Sequence, residues 1–149
     1  MAIFGSWLFR AADCGGGGPL ARAYSAGRGQ ARHEVFSWFA LAEVSVVSFL
    51  GLAVLDSNSP AKLYDSLAVG TPVVVTNGGW TKALVEQHGC GWYVPAGNSE
   101  ALELKLRAIL AQPEVLAEAG AKGKQLAVVA FDRQQLALQV QEILEAAAG

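Results

Sequence analysis

The chain has 149 residues, with 11 basic against 13 acidic side chains, a formal charge of −2, and 52% hydrophobic and 16% charged residues. That length suits one domain of about 100–150 residues. The apolar content excludes disorder over most of the chain, and the lack of a basic excess excludes a nucleic-acid binder that works by neutralising phosphates. Two distant cysteines, Cys14 and Cys90, with no C-x-x-C and no Cys/His cluster, exclude a zinc site and a disulfide scaffold and point to a reducing, cytoplasmic setting.

Residues 1–32 sustain neither a helical nor a strand period. Gly15 to Gly18 form a run followed by Pro19, and Gly27 and Gly29 recur. The stretch reads as an irregular arm, flexible or foreign to the fold, which divides the chain into residues 1–32 and 33–149. A phosphate-cradling loop at Gly15–Gly18 is the functional alternative, although no clear strand precedes it. The apolar start is short and has no Lys or Arg ahead of it, unlike a secretory signal.

Val35 to Leu55 is long enough to cross a bilayer and is interrupted only by Glu43. Its pattern favours a helix over 34–42 and a buried parallel strand over 44–49, where the β-branched run begins; a membrane span is the alternative. Ser59-Pro60 then predicts a helix to about Val69, with Ser59 as cap and Pro60 at the first helical position, and Gly70 stops it. A strand over Pro72–Thr76 follows, then a helix over Thr81–His88 ended by Gly89. A third strand spans Trp92–Val94. Asn98 caps a helix with Leu102, Leu106, Ile109 and Leu110 on one face. Another helix starts at Pro113 and weakens at Gly120 and Gly123, and Asp132 caps the last. Strands separated by helices predict an α/β fold, a partial Rossmann-like parallel sheet flanked by helices. Three strands are few for a doubly wound sheet.

The chemistry concentrates in Asp56–Trp80, DSNSPAKLYDSLAVGTPVVVTNGGW. Loops 56–61 and 77–80 follow strands, and open parallel sheets bind ligands outside the carboxyl ends of their strands. Near Ala61 and Lys62 the helix start offers unpaired N–H groups and the positive end of its dipole, an anion site. Lys62 adds a cation, and Asp65, three residues on, is placed to accept hydrogen bonds from a ribose. Spacing alone therefore predicts a nucleotide without naming it. Trp80 and Trp92 read as packing residues, Cys90 as buried, and His33 and His88 as lacking partners for a triad or a metal.

The run from Asn58 to Leu102 resembles the distal half of the nucleotide-sugar-binding C-terminal domain of GT-B glycosyltransferases. It is nearest the retaining family-4 type that builds bacterial surface polysaccharides. The likeness lies in an acid-containing helix followed by A-x-G-x-P-V-V (Asp65, Ala68, Gly70, Pro72–Val74), Gly78-Gly79-Trp80, Gly91-Trp92-Tyr93-Val94-Pro95 and Phe131-Asp132-Arg133. It covers roughly residues 33–146. The resemblance implies that Asp65 holds the donor ribose and that Ser59, Ala61 and Lys62 meet the diphosphate or the donor sugar. It also implies that Gly78 and Gly79 let the backbone approach the ligand, since no Cβ intrudes. The family's other acid, separated from Asp65 by seven intervening residues, falls at Ser57; Asp56 or the backbone amides of the N-S-P-x-K loop take its place.

The resemblance further implies a nucleotide-diphosphate sugar as substrate, no resident cofactor and no essential metal. Leaving-group charge would be stabilised by helix N–H groups and cations. The acceptor-binding N-terminal domain and the Arg/Lys pair of such enzymes are not recognisable. The expectation is therefore a truncated or frame-shifted gene product, without a nominated catalytic residue and inactive alone, its N-terminal domain supplied by a separate chain. The full enzyme would make hexosyl-type transfers to a polysaccharide or lipid-linked acceptor, in peripheral contact with the inner face of a membrane. A non-catalytic nucleotide-binding or interaction module is the alternative. A sugar-nucleotide epimerase on the same scaffold is another, although its sugar-site motifs differ from N-S-P-x-K.

Overall fold

A computed structural model describes residues 32–148, with the side chains of residues 32–34 excepted. The arm ascribed to residues 1–32, with Gly15–Gly18 and Cys14, therefore lies outside the described residues except for the backbone of Arg32; so does the side chain of His33. The elements run α1 (Arg32–Leu41), β1 (Ser45–Val47), a 3-10 turn (Ala53–Ser57), α2 (Ala61–Val69), β2 (Val73–Val75), α3 (Trp80–His88), β3 (Gly91–Tyr93), α4 (Ser99–Leu110), α5 (Pro113–Ala130) and α6 (Arg133–Ala148). The strands form a parallel sheet in the order β1-β2-β3, with Ser45 opposite Val73 and Val73 opposite Gly91.

The α/β architecture expected from the alternation is present, with a three-stranded parallel sheet flanked by helices. The apolar run 35–55 is a helix, a strand and a 3-10 turn. No helix among the described residues is long and apolar enough to cross a membrane. Because side chains alternate along a strand, β2 feeds two cores. Val73 and Val75 join Val47, Leu63, Leu67, Val85, Cys90 and Leu126 beneath α2, α3 and α5. Val74 joins Val44, Val46, Val94, Leu106, Ile109 and Leu116 beneath α4. A strand covered on both faces reads as a continuous apolar run, which is how Val73-Val74-Val75 is written. Trp80 packs against the first core and Trp92 against the second, as expected of packing residues, and Cys90 is fully buried.

Three local expectations need correction. The first strand is shorter than 44–49 and the third begins at Gly91, one residue early. Ser59 does not cap α2: the capping position is Pro60, in extended backbone, with no side-chain cap. The Ser59 hydroxyl is instead hydrogen-bonded to the Tyr64 hydroxyl at 2.8 Å. Finally, α5 does not weaken at Gly120 and Gly123 but runs unbroken through both, which are buried. Propensity alone makes a mid-helix glycine unfavourable; here the two glycines let α5 lie against the end of α2. A Cβ on Gly120 would overlap the Gly70 carbonyl oxygen, and one on Gly123 would come 2.8 Å from Leu67 Cδ2. Gly70 itself ends α2 in the left-handed region, φ 83°, where only glycine sits without strain. Asn98 caps α4 as expected, accepting from the Ala101 N–H at 2.9 Å, and Asp132 accepts from Gln134 and Gln135 at the start of α6.

Candidate functional site

Parallel strands place all their carboxyl ends on one edge, so the segments leaving β1 and β2 meet there. The 3-10 turn Ala53–Ser57 and the residues after it come from β1; the glycine loop 77–79 comes from β2 and runs straight into α3. Residues 77–80, the loop and the first residue of α3, lie against the β1 segment, three of them hydrogen-bonded to it. Asn77 Nδ2 donates to the Leu55 carbonyl at 3.5 Å, the Gly78 N–H to Asp56 Oδ1 at 3.1 Å, and Trp80 Nε1 to the Asn58 carbonyl at 3.0 Å. Between them Gly79 fits against Asp56: a Cβ there would overlap the Asp56 carbonyl oxygen and come 2.7 Å from Asp56 Cβ. The seam runs parallel, each bonded pair lying 22 residues apart.

This seam carries the opening of α2 beside the loop. Asn58 ends the seam, Pro60 follows, and Ala61 begins the helix. Tyr64, one turn in, stacks on Trp80 with ring centroids 6.2 Å apart and meets the edge of Phe131 at 4.9 Å. Leu63, Ser66 and Leu67 face the core. Ala61 and Ser59 are exposed, and Lys62 and Asp65 half-buried. Asp65 lies three residues from Lys62 and four from Ala61, so the three share one side of the helix surface. Burial holds the Lys62 ammonium below its ordinary value near 10.5, because a desolvated charge is disfavoured. Gly78 is exposed, and a Cβ there would have only ordinary neighbours, Asp56 Oδ1 and the Tyr93 hydroxyl, both at 3.8 Å. The two glycines therefore differ: the small size of Gly79 is used within the chain, and Gly78 presents backbone to solvent.

Several participants were not apparent from sequence. Asn77 and Thr81 are buried, and the Thr81 hydroxyl donates to Asn77 Oδ1 at 2.8 Å, fixing the start of α3. Their spacing of four across a predicted loop–helix junction was the available signal. Lys82 places its ammonium 4.4 Å from the centre of the Tyr93 ring, a cation–π contact that joins α3 to the end of β3. Among the described residues no group of three His, Cys, Asp or Glu side chains could hold a metal, and His88 is exposed at the end of α3.

Residues 42–126, more than half of the chain, match the family described as glycosyl transferases group 1. The chain belongs to this family. The group 1 glycosyltransferase match takes in both sides of the seam and the whole sheet. Among solved structures, the chain is similar to sucrose-phosphate synthase from Thermosynechococcus elongatus, with a TM-score of 0.68 and 26% identity over 87% of this chain and 33% of that one. It is also similar to HepE of Anabaena, solved in complex with UDP, with a TM-score of 0.59 and 18% identity over 73% of this chain and 29% of that one. The second likeness is one of fold. No curated protein matches the chain. This group 1 glycosyltransferase chain thus spans about a third of the length of the solved structures it resembles.

Proposed function

We propose that the chain is the donor-nucleotide-binding portion, the distal half of the C-terminal domain, of a retaining GT-B glycosyltransferase of the family-4 type. Residues 33–149 would form this portion. The observation that carries the reading is the junction on the carboxyl edge of the sheet, where the uncapped start of α2, with Lys62 and Asp65 on one side, lies beside the glycine loop. A diphosphate would meet the α2 opening and Lys62, near Ser59 and Ala61, and Asp65 would accept from the ribose. Gly78 would approach the ligand by its backbone. Amides and cations would stabilise the departing diphosphate without a metal. The whole enzyme would carry a hexosyl unit to a polysaccharide or lipid-linked acceptor on the cytoplasmic side of a membrane, with acceptor binding supplied by sequence outside this chain.

The test is calorimetric titration of the purified chain with UDP, GDP and their sugars, beside Asp65→Ala. Binding of one nucleotide, weakened by about tenfold or more in the variant through loss of hydrogen bonds to a charged acceptor, is the expected result. No binding by the wild-type chain sinks the reading. Binding without measurable sugar transfer is expected of this chain alone. A non-catalytic nucleotide-binding module is the second reading. It predicts the same binding and differs in that restoring an acceptor domain brings no transfer.

Lys62 gives this site a pH signature. A terminal phosphate completes its ionisation near about pH 6, so above neutrality the phosphate charge is constant; the nucleobase imide and Lys62 are what change, and the lysine's share is the part that Lys62→Arg removes. With its ammonium held below the ordinary value, charge is lost as pH rises through that lowered value, and affinity for UDP falls with it. The phosphate draws a proton onto Lys62, so binding there takes up protons and its apparent heat depends on the buffer. Lys62→Arg, charged throughout, should flatten the decline. An alkaline decline identical in wild type and Lys62→Arg would remove Lys62 from the site.

A further inference from the structure

The resemblance leaves the family's first acid without a counterpart at Ser57, and Asp56 is the nearest carboxylate. The structure gives Asp56 another occupation. Oδ1 accepts the Gly78 N–H at 3.1 Å, and the Asp56 carbonyl fills the space that a side chain on Gly79 would take. Ser57, at the expected position, is exposed and donates its hydroxyl to the Val54 carbonyl at 3.2 Å, within its own 3-10 turn. Neither residue is arranged as a second acid reaching outward.

We propose that Asp56 is a positioning residue of the donor site, its side chain and main chain together holding the glycine loop in one frame with the opening of α2. The inference rests on the donor-binding reading above. Its physical content lies in what the bond supplies. Gly78 is exposed, so water would satisfy its N–H if Asp56 did not, and the bond adds orientation rather than relief from desolvation. Orientation matters because the loop and α2 would bind opposite parts of one ligand, and a ligand that must first order a loop loses affinity. The same frame extends through Trp80 to Asn58, two residues before Pro60, so a displaced loop also displaces the residues that precede α2.

A positioning acceptor needs an oxygen but no charge. Asparagine offers that oxygen; alanine does not. A carboxylate that met the donor by its charge, or took a proton from it, would fail equally in both variants. The experiment therefore uses the full 149-residue chain, Asp56→Asn and Asp56→Ala, with UDP as the probe and two readouts: calorimetric affinity and amide hydrogen exchange at Gly78 by NMR. Asp56→Ala is expected to exchange the Gly78 amide about tenfold faster and to bind UDP about tenfold more weakly, while its melting temperature stays close to wild type. Asp56→Asn is expected to restore both within about twofold. Equal loss of affinity in the two variants would overturn the proposal in favour of a direct ligand role. So would a Gly78 amide indifferent to Asp56→Ala, or unchanged affinity in that variant. A wild-type chain that binds no nucleotide refutes the donor-binding reading instead, and the exchange comparison then decides alone whether Asp56 holds the loop.

Discussion

Replacing Gly120 with alanine is expected to destabilise the chain, although helix propensity predicts the opposite. A glycine in the middle of α5 is unfavourable by about 1 kcal/mol against alanine, so Gly120→Ala in an isolated helix would be a gain. Here the new methyl would overlap the Gly70 carbonyl oxygen and lie 3.3 Å from its carbon and 3.4 Å from Pro72 Cδ. These are backbone and ring atoms that no rotamer change can move aside. Relief requires α5 to lift from α2, opening the core around Leu67 and Leu126. Overpacking of this kind costs about 3 kcal/mol at the upper end of its usual range, which for a chain of this size lowers the melting temperature by about 6–12 °C. Thermal denaturation followed by circular dichroism decides it: an unchanged or raised midpoint would mean that α5 is not seated on α2.

Gly79→Ala is expected to disrupt both stability and ligand binding. Its methyl would fall on the Asp56 carbonyl, forcing the glycine loop away from the 3-10 turn and straining the bonds from Gly78 to Asp56 and from Trp80 to Asn58. A stability loss of about 1–3 kcal/mol follows from the clash, and affinity for UDP should fall by more than about tenfold as the frame opens. Gly78→Ala is the contrast. Space is available beside it, so the fold should tolerate the change, and a loss of binding there would report a ligand lying against that backbone. Calorimetry and thermal melting on the two variants separate the roles; equal behaviour would show that the seam does not distinguish the adjacent glycines.

The fold was legible wherever one residue's local chemistry set the outcome. Gly70 and Gly89 stop helices because they take the left-handed backbone, φ 83° and 61°; Asn98 caps through its own side chain; Val73–Val75 announces a strand covered on both faces. Legibility ended where the outcome depended on a partner distant in sequence. Gly120 and Gly123 looked like weaknesses because α2, the helix they accommodate, lies more than fifty residues earlier in the chain. Ser59 looked like a cap because Ser before Pro is a common helix signal, but Tyr64 offered its hydroxyl another partner. At the site, the glycine pair was recognised as a unit although its members do different things. Separating them required the position of the Asp56 carbonyl, which no motif encodes.

The seam also determines where this chain can change length. Phe49 and Thr76 are bonded at a sequence distance of 27, and Leu55 and Asn77 at 22, so the five residues 50–54 are slack taken up before the two segments lock together. Leu50, Leu52 and Val54 are exposed there, and closing a somewhat longer or shorter loop alters the entropy only slightly. Homologues should therefore differ by insertions and deletions within that slack. Between Leu55 and Asn58, or between Asn77 and Trp80, one added residue would slip every later pairing by a place, so those two stretches should keep their lengths, together with the side chains of Asp56, Asn77 and Trp80 that make the pairings and the glycine at position 79.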